Sequence, residues 1–256
     1  MKPLLLIAHP GHELRLHDWV CHTRPHIVVL THGDGANGQA RLADTEALMT
    51  PLGVRVRSDW LQPVADGAVY QALLQGDATL PSRWLEGLLQ AGLRGEFNAV
   101  VADEAEGYNP THDVCRVLAN QLVSRLTEAG HPMPCLEFPL IGHPSDPTRQ
   151  AQEADRLQLS DSELAHKIEV MRRYAQQCSP VLVQELHTML TTYGHAAFAT
   201  ECLYTAPRTP YEDQRLPATT PYFELAGEAK ARAGVYAQVI RAEHLRRLVQ
   251  NWLNPH

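Results

Sequence analysis

Three short apolar runs, each breaking straight into a polar or glycine-bearing loop, constrain this chain most. Residues 4–8 and 99–102 are continuously apolar, and 27–31 is so up to its last residue, Thr31, rather than alternating. That is the pattern of strands buried on both faces of a parallel sheet. Helical stretches alternate with them, at residues 39–51 and 82–93, and the second carries Trp84, Leu85, Leu88 and Leu89 as a core-facing stripe. Strands alternating with helices predict an α/β fold, a Rossmann-like, mostly parallel sheet with helices on both faces.

The remaining elements follow from local signals. Residues 13–21 read as a short helix, 54–61 as a strand, and Asp66-Gly67 as a turn. A helix is expected over 114–126, a strand over 136–141 and a turn-rich linker over 142–147. Ser160 followed by Glu163 is a capping-box signature for a helix running to about Gln177. Another helix is expected over 180–192, a proline-rich surface loop over 207–221, and one long helix or two over 227–253. Residues 1–204 thus form an α/β domain, and 205–256 a surface loop and C-terminal helical extension packed on it.

In an open α/β sheet, ligands bind past the carboxyl ends of the strands. The first such loop holds His9, Pro10, Gly11, His12 and Glu13. Neutral imidazole is a common zinc ligand, and two on one short loop are partly pre-positioned. The second loop, residues 32–38, carries His32, Gly33, Asp34 and Gly35, and its glycines allow a ligand close to the backbone. It has neither the Walker nor the dinucleotide glycine spacing. The third, residues 103–113, runs from Asp103 through Tyr108 and Asn109 to His112 and Asp113. All three loops should share one edge.

A formal charge of −7 and the lack of a basic run argue against nucleic-acid partners. Five cysteines without a Cys-x-x-Cys pair read as free thiols of a reducing cytoplasm. No stretch has the length of a membrane span, and the N-terminal run is too short for a signal peptide. A cytoplasmic protein is the expectation, with the long C-terminal helix offering an interface for a homo-oligomer.

In their order along residues 3–204, these motifs resemble the PIG-L/LmbE-like N-deacetylases. Ala8-His9-Pro10-Gly11-His12-Glu13 resembles the family's Ala-His-Pro-Asp-Asp-Glu, and Thr31-His32-Gly33 its Thr-x-Gly loop. Arg41 through Asp44, followed by Leu52-Gly53, is similar to its Arg-x-x-Glu helix ending in Leu-Gly. Asp66-Gly67, Asn109-Pro110-Thr111-His112, and Lys167 with Tyr174 and Gln177 resemble three further elements. The resemblance implies a zinc ion (Zn2+) held by His9, His12 and His112, with histidine standing where the family has its second aspartate. Three imidazoles and an open position make a sound catalytic zinc set.

Other departures alter the chemistry. Gly11 stands where the family has its general base, Asn109 where it has an oxyanion-stabilising histidine, and Thr111 where it has the orienting aspartate. Asparagine still donates a hydrogen bond to an oxyanion. Asp113 and Glu13 are the nearest substitutes for the base in sequence, or else residues that fix an imidazole tautomer. The candidate catalytic residues are therefore Asn109, Asp113 and Glu13, and the candidate substrate-binding residues His32, Asp34, Arg41 and Tyr108. The resemblance implies a zinc-dependent hydrolase removing acetyl from a small-molecule N-acetylated amino sugar or its glycoconjugate, zinc-bound water attacking the acetamide. The alternative is a repurposed scaffold that binds a sugar or metabolite, or hydrolyses another bond.

Overall fold

A computed structural model describes residues 2–35 and 38–254. Ala36 and Asn37 of the glycine-bearing loop lie outside the described residues. The chain forms an α/β fold around a seven-stranded mixed sheet of order β3-β2-β1-β4-β5-β7-β6. Strands β1 (Lys2–Ile7), β2 (His26–Val29), β3 (Arg55–Val56), β4 (Phe97–Asp103) and β5 (Cys135–Phe138) run parallel. Strand β7 (Thr200–Thr205) is antiparallel to β5, and β6 (Glu153–Gln158) pairs antiparallel with β7 on the outside.

The continuous apolar runs are explained by two-sided burial. Leu4, Leu6 and Ala8 pack into one core cluster with α4 (Thr79–Leu93) and α5 (Pro110–Glu128), while Leu5 and Ile7 pack into a second on the other face. Helix α4 presses so closely that a Cβ on Gly87 would lie 2.1 Å from the Trp60 carbonyl oxygen. The C-terminal α9 (Ala242–Leu253) buries Leu245, Leu248, Val249 and Trp252 in the first cluster, so the extension shares this core. Helix α8 (Tyr222–Arg232) precedes it, so the C-terminal stretch is two helices. Among the described residues no helix is long and apolar enough to cross a membrane.

Several sequence expectations need correction. The strand expected over 54–61 pairs only at Arg55–Val56, because Arg57 doubles back onto Asp59 and the chain turns at Trp60. Asp66-Gly67 is no isolated turn but opens helix α3 (Asp66–Gln75). Helix α5 begins at Pro110, four residues before the expected start, because Asn109 caps it by accepting from the Thr111 amide and Pro110 suits its first position. The antiparallel pair β6–β7 was not expected: β6 is an edge strand of mostly exposed polar residues and has no apolar run. The 3₁₀ turn His12–Leu16 and α1 (His17–Thr23) replace one short helix, and α2 is confined to Leu42–Met49. The 207–221 loop, expected at the surface, buries Thr209, Tyr211 and Glu212.

The topology fixes where a ligand can sit. The chain builds outward from β1 through β2 to β3, then restarts at β4 on the other side of β1. The order reverses between β1 and β4, which are hydrogen-bonded neighbours in register Leu6↔Ala102. Such a reversal opens a crevice at the carboxyl ends of the two strands. The loops that leave them carry His9 and His12 on one side and residues 104–109 on the other.

Candidate metal centre

His9 lies two residues past the end of β1, His12 opens the 3₁₀ turn, and His112 lies in the first turn of α5. The structure brings the three rings together. Centroids are 5.3 Å apart for His9–His12 and His9–His112 and 4.7 Å for His12–His112, with interplanar angles of 84°, 64° and 88°.

Each ring is held differently. The His9 Nδ1 is 2.8 Å from Thr31 Oγ1, and Asp66 Oδ1 approaches the same nitrogen at 3.4 Å. The Nδ1 of His12 is 2.9 Å from Asp103 Oδ2, which also accepts from the Ala8 amide. The Nε2 of His9 and the Nδ1 of His112 are buried without a hydrogen-bond partner. Burial, together with the charges of neighbouring His9, Arg41 and Arg15, drives His12 well below the ordinary imidazole pKa. Burial and the other two histidines do the same to His112. Both rings are therefore neutral near pH 7, the form that ligates a metal.

Among the described residues no group of three or more His, Cys, Asp or Glu side chains is arranged so that it could hold a metal ion as it stands. The ring spacing nevertheless matches a trio able to converge. Tetrahedral ligation at ~2.0–2.1 Å per nitrogen places imidazole centroids roughly 5.2 Å apart, close to the separations observed. Two orphaned buried ring nitrogens and a carboxylate behind two of the rings also fit zinc, whose histidine ligands ordinarily pass their other N–H to such a group. The donor chemistry suits the ion, while the described side chains as placed form no group that could hold it.

The carboxylates expected as bases are elsewhere engaged. Glu13 is fully buried; its Oε1 accepts from Thr45 Oγ1 and its Oε2 from the Gly11 amide. Burial raises its pKa against those hydrogen bonds. Asp113 accepts from the Gly107 amide and faces the Tyr211 hydroxyl at 3.4 Å, and burial pushes its carboxyl up to about 7. Both tie loops together. Asp34 likewise accepts from the Asp66 amide, while Asp66 accepts from the Gly35 amide, locking the second loop to α3. His32 is partly buried and makes backbone hydrogen bonds to Val64 and Arg41.

Two of the substrate-binding candidates face the cluster. The Arg41 guanidinium lies over Gly33, where its Nη2 is 2.9 Å from the place a Cβ would occupy, and its Nε is buried without a partner. Tyr108 stacks near His112, centroids 6.4 Å apart, and carries Tyr222 stacked on it at 4.9 Å. Asn109 uses its Oδ1 for the helix cap, leaving the amide NH2 as its donor.

Position 11 departs most from the expected machinery. Gly11 has φ +103°, and a Cβ there would meet Tyr174 Cε1 at 2.9 Å. Tyr174, on α6 (Asp161–Cys178), also lies 3.1 Å from Thr45 Oγ1. The ring fills the space that a side chain at position 11 would need. Asp66 and Asp103 were not expected to orient ligands. In the sequence Asp103 carries one signal, a carboxylate at the very end of a buried strand, whereas Asp66 carries none beyond the Asp-Gly pair.

Comparison with family models and with curated proteins finds no match to this chain.

Proposed function

We propose that this protein is a zinc-dependent amide hydrolase that removes the acetyl group from an N-acetylated amino sugar or its conjugate, with His9, His12 and His112 holding the metal. The observation that carries this reading is the convergence of three mostly buried imidazoles, two with orphaned nitrogens, at the β1/β4 crevice. When bound, zinc supplies Lewis-acid polarisation of a carbonyl and a lowered pKa for water. The sugar half of the proposal rests on the resemblance of the motifs.

The chain's own residues contribute orientation and charge. Thr31 and Asp66 hold the His9 ring, and Asp103 holds His12. Burial alone would raise the Asp66 carboxyl, but the His9 imidazole with Thr31 and Gly35 outweighs it and keeps the group well below the usual carboxylate range. Asn109 donates to the oxygen on which charge develops, at the amide-rich start of α5. Arg41 and Tyr108 line the approach.

A second reading is favoured by one specific observation: Gly11 bears no carboxylate, and Glu13 and Asp113 are both engaged. A scaffold that binds a sugar without cleaving it would look the same at these positions. The two are separated by acetate release from a panel of N-acetylated amino sugars, using zinc-supplied protein beside His112→Ala. The hydrolase reading expects release by the wild type alone. Sugar binding without release by the wild type supports the second reading.

A further inference from the structure

The proposed hydrolysis needs a proton acceptor, and position 11 cannot supply one. Helix α7 (Pro180–Tyr193) packs beside the segments that follow β1, β4 and β5. Three of its residues, spaced four apart, contact the strand-end loops from one helical face. Glu185 Oε1 accepts from the Tyr108 hydroxyl at 3.2 Å, Met189 Sδ lies 3.7 Å from Arg15 Nη1, and the Tyr193 hydroxyl donates to the Ile141 carbonyl at 2.9 Å. Glu185 is thus placed against the very tyrosine whose ring stacks near His112.

Glu185 differs from the other carboxylates around the cluster. Glu13, Asp34, Asp66, Asp103 and Asp113 each accept from a backbone amide. Among the described residues, Glu185 has a hydroxyl as its hydrogen-bond partner, and the positive charge of Arg41 acts on it. Burial raises its carboxyl pKa against the Tyr108 hydrogen bond and that charge. A partly buried carboxylate held by a hydroxyl, with no backbone amide donating to it among the described hydrogen bonds, is free to take up and give back a proton.

We propose that Glu185, reaching the crevice from α7, is the acid–base residue of this site and takes the place of a carboxylate at position 11. The proposal rests on the amide-hydrolase reading. Glu185 removes a proton as water oxygen bonds to the acetamide carbon. It then delivers that proton to the amine nitrogen as the carbon–nitrogen bond breaks, giving free amine and acetic acid, which loses its remaining proton to solvent as acetate. Tyr108 positions the carboxylate through its hydroxyl.

The test compares wild type, Glu185→Gln and Glu185→Asp, each supplied with zinc, for zinc content, melting temperature and acetate release from N-acetylated amino sugars. The expected result is unchanged zinc content and melting temperature in Glu185→Gln, with kcat lower by about 10²–10⁴-fold and KM little altered. Glu185→Asp should recover part of kcat. Full turnover by Glu185→Gln would overturn the role of Glu185 alone. Loss of zinc from Glu185→Gln would overturn it too, by making the residue a support of the metal. No acetate from a zinc-loaded wild type would overturn the hydrolase reading and this role with it.

Discussion

The Nδ1 of His12 lies 2.9 Å from the Oδ2 of Asp103, a contact that spans the neighbouring strands β1 and β4 at their carboxyl ends. One carboxylate oxygen thereby fixes a ring and, through the Ala8 amide, the backbone just before His9. The other, Oδ1, is buried without a partner. Burial raises the Asp103 carboxyl to about 7 against the Ala8 hydrogen bond and nearby positive charge.

Asp103→Asn should therefore weaken zinc rather than the fold. The amide can turn either a donor or an acceptor to His12, so the tautomer is no longer set. Zinc affinity is expected to fall about 10–100-fold, read by competition with a calibrated chelator. Unchanged affinity would show that Asp103 serves packing alone.

Gly11→Asp puts a carboxylate at position 11 but should not improve turnover. The backbone there has φ +103°, and the new Cβ would press on Tyr174. A stability loss of about 1–3 kcal/mol is expected in urea denaturation, from the strained backbone conformation alone. Acetate release above wild type would mean that the position is merely empty, and that the Tyr174 ring moves aside freely.

Glu104 makes a pH-dependent prediction away from the histidines. Burial, with the charges of Glu137 and Glu106, raises its carboxyl from 4.5 to about 7 despite Arg149. A raised carboxyl holds its proton more tightly folded than unfolded. Its contribution to stability is thus present below 4.5 and is lost as pH rises towards 7. Glu104→Gln does not titrate. Between pH 4.5 and 7.5 the stability of the variant should gain on that of wild type by on the order of 2 kcal/mol. A difference that stays flat with pH would contradict the assignment.

The parts of this fold visible in the sequence are those in which one property repeats along the chain. Leu4 through Ala8 read as a strand because both faces are buried, and His9 and His12 stood out as polar groups where that run stops. His112 was harder: Thr111-His112-Asp113 has a loop's composition, and only the Asn109-Pro110 pair betrays a helix start. Strand β6 was invisible because an edge strand need not be apolar. Glu185 is distant in sequence from every loop it faces, and nothing local distinguishes it from other helical glutamates. The role of Tyr174 against Gly11 depends on packing between α6 and the first loop, which spacing along the chain does not encode.

The central claim is that three imidazoles hold a metal. It is tested most directly by the zinc content of purified protein, wild type beside His12→Ala, measured by elemental mass spectrometry after zinc is supplied and excess removed. About one zinc per chain in the wild type, lost in a variant that keeps its melting temperature, is the result expected for a three-ligand site. A wild type that retains no zinc, or a His12→Ala variant that retains as much as wild type, would contradict it.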